Sequence, residues 1–344
     1  MAIPTLRALR DGVSPNTQFI GVSRPGPAAL LRDQGWFDDW LVYQPHGTQP
    51  ILNRRGLVAE LWNRKCDSAI LMTNSLGSAA IAALSRIPRR IGYVGDTRSW
   101  LLTDRLRIQK IQGRSRPVAA IDYYLKLAEH MGCPSVDRNM KFTIDVKYHE
   151  QANQLWKKLG FSEPRPTIVI NNNAANNPER LWPEAYVERL ATKLVRALDV
   201  QVLLHCGPGE AHSTTRLAHR INHPRIQSMG IVDDLPLGLS QAVFARSSLV
   251  VTTDSGARHL AVAMDCPVIS LFGPVQPAWT TTYNTPETVI QAEPRCHACE
   301  NPSYMGGIKG CQCECMKQIK PERVFLEVLN RLKAGKLPAT LEAA

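Results

Sequence analysis

The sequence has no long apolar run of the kind that membrane spans and secretory signals require. No stretch approaches the ~20 uninterrupted apolar residues needed to cross a bilayer. The opening residues, Met1 to Arg7, contain no extended apolar segment of a secretory signal either. From these absences we predict a soluble, cytoplasmic protein.

Several nucleotide-binding and nucleic-acid-binding signatures are missing as well. There is no G-x-G-x-x-G turn of a dinucleotide-binding oxidoreductase, no G-x-x-x-x-G-K-[ST] phosphate loop, and no zinc-finger or RNA-recognition motif. The chain nevertheless carries a formal net charge of +11 and a pI near 9.3. Positive charge without a nucleic-acid motif favours a phosphorylated small molecule or a phospholipid surface as the partner.

The length of 344 residues exceeds what one hydrophobic core usually serves. Short apolar runs alternate with helical segments on both sides of a proline-containing break at residues 160–166. We therefore predict an α/β protein with two Rossmann-like domains, residues 1–158 and 166–344, each built on a parallel sheet. Two such domains imply a cleft, with ligand groups beyond the carboxyl ends of the strands.

The alternation of apolar and polar residues also predicts individual elements. Helices are expected at residues 4–10, 78–84 and 183–197, and strands at 17–22, 41–43, 68–72, 90–93, 167–170, 200–204, 249–252 and 268–272. The β-branched runs of the second half are typical of strands that helices cover on both faces.

The turn Thr253-Asp254-Ser255-Gly256 is the first candidate for a ligand site. It joins an apolar strand directly to a helix, so free backbone amides and the helix dipole favour an anion there. Gly256 has no Cβ and would let a ligand approach the backbone. Asp254 would repel a diphosphate, and we interpret it as a helix N-cap or as an acceptor for sugar hydroxyls. A plain capping turn that binds nothing is the alternative.

Four further side chains are expected near the same sheet edge. His259 lies one helical turn beyond Ser255 and is placed to reach a phosphate oxygen. Arg180, Glu210 and the asparagine-rich run that includes Asn173 follow neighbouring strands. A guanidinium can clamp a diphosphate, while amide and carboxylate groups can bond to a ribose or sugar. Taken singly, each side chain also fits a structural or solvated role.

Segments that resemble one family occur in a fixed order along the chain. This ordered set resembles the ADP-heptose:lipopolysaccharide heptosyltransferases of glycosyltransferase family 9 over nearly the whole length. The segments are 180–183 (Arg-Leu-Trp-Pro), 207–210 (Gly-Pro-Gly-Glu), 254–259 (Asp-Ser-Gly-Ala-Arg-His) and 271–274 (Leu-Phe-Gly-Pro), preceded by 4–10, 90–93 and 101–104.

The resemblance implies a GT-B fold and an inverting, metal-independent transfer of heptose from ADP-heptose to the inner core of lipopolysaccharide. Its implied partners are the nucleotide sugar and a lipid-anchored acceptor, reached by peripheral contact with the cytoplasmic face of the inner membrane. No cofactor and no nucleic acid is expected.

By position, the resemblance assigns the diphosphate and sugar of the donor to Asp254, Ser255, Gly256 and His259, and the acid near the nucleoside to Glu210. Arg180 stands where the family commonly has a lysine. The complete predicted donor site is Asn173, Arg180, Glu210, Thr253, Asp254, Ser255, Gly256 and His259.

The catalytic base stays unassigned. Family members usually begin with a strand and a Gly-Asp loop whose Asp resembles the general base. Met1 falls within the helix that follows, so that Asp is not in this sequence and we expect the first strand of the N-terminal domain to be missing. Asp96 and Asp104 follow a strand in this domain but match no catalytic position. A truncated or non-catalytic nucleotide-sugar-binding relative, or a GT-B epimerase, remains an alternative.

Five of the nine cysteines are clustered near the C-terminus. Four thiolates can close a tetrahedral structural zinc site, although the C-x-C-x-C half differs from a paired knuckle. Reduced thiols and redox-linked pairs are the alternatives. The cluster is Cys296, Cys299, Cys311, Cys313 and Cys315, and the isolated Cys66, Cys133, Cys206 and Cys266 are expected to be small buried hydrophobic residues.

Overall fold

The structure is a computed structural model of the chain. It describes residues 1–45, 53–95, 97–108, 110–111, 114–115, 118–173, 178–283, 285–293 and 314–334. The chain divides into two compact units, Met1–Arg138 and Asn139–Ala344. No helix in these ranges is both long and apolar enough to cross a membrane.

The described ranges contain the following elements. The α-helices are α1 (Ile3–Gly12), α2 (Pro25–Leu31), α3 (Arg54–Asn63), α4 (Leu76–Leu84), α5 (Ala120–His130), α6 (Val146–Leu159), α7 (Glu184–Ala197), α8 (Ala211–Ile221), α9 (Leu237–Ala245), α10 (Gly256–Ala263), α11 (Cys315–Gln318) and α12 (Pro321–Ala334). The strands are β1 (Ile20–Ser23), β2 (Asp39–Val42), β3 (Ser68–Leu71), β4 (Arg89–Tyr93), β5 (Asp104–Leu106), β6 (Lys110–Ile111), β7 (Arg114–Ser115), β8 (Thr167–Asn171), β9 (Gln201–His205), β10 (Ile226–Ser228), β11 (Leu249–Thr253), β12 (Val268–Phe272) and β13 (Glu287–Gln291).

The division between the units precedes the proline-containing break at residues 160–166. The reason is α6, which packs against α9 inside the second unit. The ring of Tyr148 covers Gly238 so closely that a Cβ at that glycine would have no room. The glycine on α9 therefore fixes α6 to the second unit.

The strands of the first unit form short, separate sheets. Strands β3, β4 and β5 form a parallel sheet, β1 pairs with β2 in parallel, and β6 pairs with β7 antiparallel. One apolar cluster lies around Leu57 and Leu61 of α3, and another around Ile91 of β4 and Leu127 of α5. Each helix covers a strand with its apolar stripe.

The second unit is built on six parallel strands in the order β10-β9-β8-β11-β12-β13. Every residue of β8, β9, β11 and β12 is buried, as expected for strands with helices on both faces. The strand order reverses between β8 and β11. Ligands of such sheets bind beyond the carboxyl ends of the strands at this reversal, so the residues after Asn171 and Thr253 are where a site is expected.

Candidate functional site

Helix α10 begins directly at the carboxyl end of β11. Its N-cap is Ser255, in extended conformation, and the Ser255 side chain makes no capping hydrogen bond. A Cβ placed on Gly256 would meet no atom within 4 Å. The space beside the Cα of Gly256 is therefore open to a ligand, and a helix N-terminus is a position that favours an anion. Of the two interpretations of Asp254, the N-cap is wrong, because Ser255 is the N-cap and the helix begins one residue later, and the acceptor for sugar hydroxyls stays a prediction.

Asp254 is instead held between two arginines. Its Oδ2 lies 3.2 Å from Nη1 of Arg180 and its Oδ1 lies 3.4 Å from Nη1 of Arg258. Burial raises the pKa of Asp254, and the two guanidinium groups oppose that shift. The carboxylate is only 6% exposed, so its charge is matched within the protein. This pairing removes the repulsion toward a diphosphate that the sequence suggested.

Arg258 links α10 to the edge strand β13. Its Nε lies 2.6 Å from Oε1 of Glu287 and its Nη2 lies 2.9 Å from Oε2, a bidentate pair. Burial alone would raise the pKa of Glu287, but the hydrogen bonds and charge of Arg258 bring it below its ordinary value. Arg258 is 1% exposed, so we assign it a structural role in fixing α10.

A buried chain of hydrogen bonds from β8 and β9 holds the N-cap residue Ser255 in place. Nδ2 of Asn171 donates to Oγ of Ser255 at 3.0 Å and to Oγ1 of Thr252 at 2.9 Å. Its Oδ1 must then accept, so His205 carries its proton on Nδ1, 2.9 Å away, and accepts at Nε2 from the Ser240 hydroxyl. Burial lowers the pKa of His205 to about 4, which keeps the ring neutral at neutral pH.

The asparagine run has mixed roles. Asn172 accepts from the backbone N–H of Trp182 at 2.8 Å and donates to its carbonyl at 2.7 Å, which fixes the start of α7. The carbonyl of Asn173 accepts from the Thr253 hydroxyl at 2.9 Å and ties β8 to β11. The structure thus brings Asn173 next to the turn that contains Thr253 and Asp254, while their role as donor ligands stays a prediction. Residues 174–177 lie outside the described ranges.

A cavity of about 770 Å³ opens beyond β8 and β9, within the size range of small-molecule sites. It is lined by Asn173, Trp182, Glu210 and Met316, among others. Glu210 accepts a hydrogen bond from the backbone N–H of Gly207 at 3.2 Å and precedes α8. Since Asn173 also bonds Thr253, the cavity borders the α10 turn.

His259 lies on α10 within one turn of Ser255. Its Nδ1 is buried and has no hydrogen-bond partner among the described residues. Burial, followed by the charge of the neighbouring Arg258, lowers the pKa of His259 well below its ordinary value. The imidazole of His259 is therefore neutral, and its role toward a ligand stays a prediction.

Gly273 provides packing space at the tip of β12. A Cβ there would lie 2.5 Å from Sδ of Met316 and 3.0 Å from Sγ of Cys315. Cys315 is a buried free thiol. The other four cysteines of the cluster, Cys296, Cys299, Cys311 and Cys313, lie outside the described residues. Among the residues that are described, no group of three or more His, Cys, Asp or Glu side chains could hold a metal ion.

The prediction that the four isolated cysteines are buried is confirmed for three of them. Cys133, Cys206 and Cys266 are buried, and Cys66 is half-buried. Of the two acids considered in the first unit, Asp96 lies outside the described residues. Asp104 begins β5, where a hydrogen bond from His130, together with Arg89, lowers its pKa. A carboxylate held in this way is a weak base.

Comparison with known proteins decides the family. Residues 54–307 match the model of the family described as glycosyltransferase family 9 (heptosyltransferase). The chain belongs to glycosyltransferase family 9. Membership makes it an enzyme that transfers glycosyl groups and confirms the resemblance predicted from the ordered segments.

Individual members of glycosyltransferase family 9 are similar over most of the chain. Lipopolysaccharide heptosyltransferase 2 of Salmonella typhimurium is 24% identical over 291 residues, 83% of this chain and 81% of that protein. The solved structure of a family 9 glycosyltransferase from Veillonella parvula has a TM-score of 0.77 at 18% identity, covering 97% of this chain and 93% of the other. That of E. coli ADP-heptose lipopolysaccharide heptosyltransferase II has a TM-score of 0.73 at 20% identity, covering 97% and 94%. The likeness confirms the predicted α/β, GT-B fold class.

Proposed function

We propose that this chain transfers heptose from ADP-heptose to the inner core of lipopolysaccharide. Family membership and the similarity to proteins named as lipopolysaccharide heptosyltransferases support the reaction class. The observation that carries the donor assignment is the N-terminus of α10 at the reversal of the strand order, where Ser255 makes no side-chain capping hydrogen bond and a Cβ on Gly256 would meet no atom of the described residues within 4 Å.

The donor is divided between two parts of the site. The nucleoside occupies the cavity beside Glu210, and the diphosphate lies against the amides of Gly256 and Ala257. Arg180 connects the two parts, because Pro178 and Glu179 of its 3₁₀ segment (Pro178–Arg180) line the cavity while its guanidinium reaches the Asp254 turn. A carboxylate beside a ribose and amides beside phosphate match the chemistry of ADP.

The proposed reaction is an inverting displacement without a metal. The acceptor hydroxyl oxygen forms a bond to the anomeric carbon and releases its proton to solvent, while the bond from that carbon to the phosphate oxygen breaks. The electron pair stays on the departing ADP. In this proposal the helix amides, Arg180 and the neutral His259 stabilise the negative charge that develops on the phosphate oxygen, which is the form of stabilisation expected to contribute most.

The acceptor we propose is lipid-anchored and anionic, at the cytoplasmic face of the inner membrane. The net charge of +11 supports a phosphorylated partner. This assignment places the chain at a membrane surface as a peripheral enzyme.

Acceptor dependence tests the proposal. The purified chain is incubated with ADP-heptose, with and without heptose-deficient lipopolysaccharide core, and free ADP is measured. We expect ADP release only when the acceptor is present, and no release from UDP- or GDP-sugars. Conversion of ADP-heptose in the absence of acceptor would identify an epimerase. Thermal stabilisation by ADP-heptose with no ADP release under any condition would identify a non-catalytic binding protein.

A further inference from the structure

An open groove lies between α3 and α4 in the first unit, whereas the α10 turn belongs to the second unit. The groove has a volume of about 660 Å³, and Val58, Ala80 and Ile81 contribute to its apolar lining. Trp62 and Leu84 lie in the last turns of the two helices and line it as well, 44% and 65% exposed. Large apolar side chains grouped on one exposed face mark an interaction surface.

Positive charge surrounds this groove. Arg54 and Arg55, both exposed, line it from the first turn of α3. The guanidinium of Arg86 lies 4.2 Å from the ring centroid of Trp62. Among the described residues that line the groove, none is acidic. Residues 53–90 contain seven Lys and Arg but two Asp and Glu, so this segment carries a net charge of +5 out of the chain total of +11.

We propose that the α3–α4 groove docks the protein on an anionic phospholipid bilayer. Trp62 and Leu84 would enter the headgroup region, and Arg54, Arg55 and Arg86 would contact lipid phosphates. Tryptophan is favoured at the level of the headgroups, and basic side chains are attracted to anionic leaflets. The proposal rests on the proposed function only in that a lipid-anchored acceptor gives the docking its purpose.

Charge complementarity favours a bilayer over a second copy of the chain. A symmetric dimer through this face would bring the arginines of one groove toward those of the other, because a two-fold interface pairs the same patch with itself. An anionic bilayer supplies the opposite charge and an apolar interior at once. The groove presents basic side chains to the anionic headgroups and apolar side chains to the bilayer interior on one surface.

Vesicle flotation of the full chain tests the docking. Vesicles are made of phosphatidylcholine alone and of phosphatidylcholine with phosphatidylglycerol in equal parts. The first variant is Arg54→Glu with Arg55→Glu, matched by Arg24→Glu with Arg32→Glu, two exposed arginines flanking α2. The second is Trp62→Ser with Leu84→Ser, matched by Trp100→Ser with Val136→Ser, which are 71% and 90% exposed.

We expect the wild-type chain to bind the phosphatidylglycerol vesicles, and both groove variants to bind them more than about tenfold more weakly. Both matched controls should retain wild-type binding, and thermal unfolding should show all variants folded. Equal losses in groove variants and controls, or no loss in either groove variant, would overturn the proposal. A wild-type chain that dimerises in solution, with a monomeric Trp62→Ser, Leu84→Ser variant, would show that a second copy covers the groove.

The same variants separate this inference from the proposed function. Docking that depends on the groove, without any heptosyl transfer, would leave the inference standing and reject the function. Transfer to a detergent-solubilised acceptor, with vesicle binding unchanged in the groove variants, would reject the inference alone.

Discussion

Nδ1 of His205 lies 2.9 Å from Oδ1 of Asn171, at paired positions in the register of β9 and β8. Because this contact fixes the asparagine amide, both N–H groups of Asn171 point toward β11 and the N-cap Ser255. A buried neutral histidine therefore sets the geometry of a turn that follows a different strand. Hydrogen bonds from the sheet thus fix the position of the turn at residues 253–256.

The first prediction concerns acid stability. The unfolded pKa of a histidine is about 6.5, and burial lowers that of His205 to about 4, so the unfolded state binds its proton first. The contribution of His205 to stability is therefore fully present above pH ~6.5. As the pH falls toward 4, the free energy of unfolding decreases by up to about 3 kcal/mol. In His205→Gln this loss should be absent. Urea unfolding at a series of pH values measures the difference from wild type.

The control for this series is His219→Gln, an exposed histidine of α8. It should follow the wild-type curve at every pH. An acid dependence in His205→Gln as steep as that of wild type would show that His205 does not carry it.

The second prediction separates a buried ion pair from an exposed one. Arg258→Met leaves the carboxylates of Glu287 and Asp254 buried without their shared guanidinium. We expect a loss of about 3–5 kcal/mol in the free energy of unfolding. Arg89→Met removes a partner of Asp104 whose side chain is 22% exposed, and should cost less than about 1 kcal/mol. Equal losses in denaturant titrations would contradict the role given to Arg258.

The third prediction concerns the diphosphate clamp. Arg180→Ala should weaken ADP binding roughly ten- to a hundredfold, since a charge-assisted hydrogen bond contributes about 1.5–3 kcal/mol. Calorimetric titration with ADP measures this. Arg189→Ala, which removes an exposed arginine of α7 paired with Glu322, should bind ADP like wild type. A wild-type affinity in Arg180→Ala would exclude the clamp.

Much of the second sheet could be predicted from the sequence. The runs at 167–170, 249–252 and 268–272 coincide with β8, β11 and β12 to within one residue, because strands buried on both faces consist of continuous apolar residues. Strand β13 was missed, because it is an edge strand with polar and half-exposed residues at its start. Strand β10 has only three residues, too few for a periodic pattern.

The candidate site was predicted in part. The glycine turn and its helix are visible in the chain because strand, turn and helix are consecutive. The partners of Asn171, by contrast, lie 34, 81 and 84 residues away and become neighbours only through the register of β8 with β9 and β11. The bidentate pair of Arg258 with Glu287 spans 29 residues for the same reason. The residue types alone therefore did not identify the hydrogen-bond partners of Asn171 and Arg258.

Gly256→Ala tests most directly the claim that the α10 turn holds the donor diphosphate. A methyl group at this position meets no atom of the described residues within 4 Å, so the free energy of unfolding should stay constant or rise by about 0.4–1 kcal/mol. Gly77→Ala on α4, where a Cβ also finds open space, is the matched control. Calorimetric titration with ADP-heptose should show more than about tenfold weaker binding in Gly256→Ala and no change in Gly77→Ala. Wild-type affinity in Gly256→Ala would contradict the placement of the diphosphate at this turn.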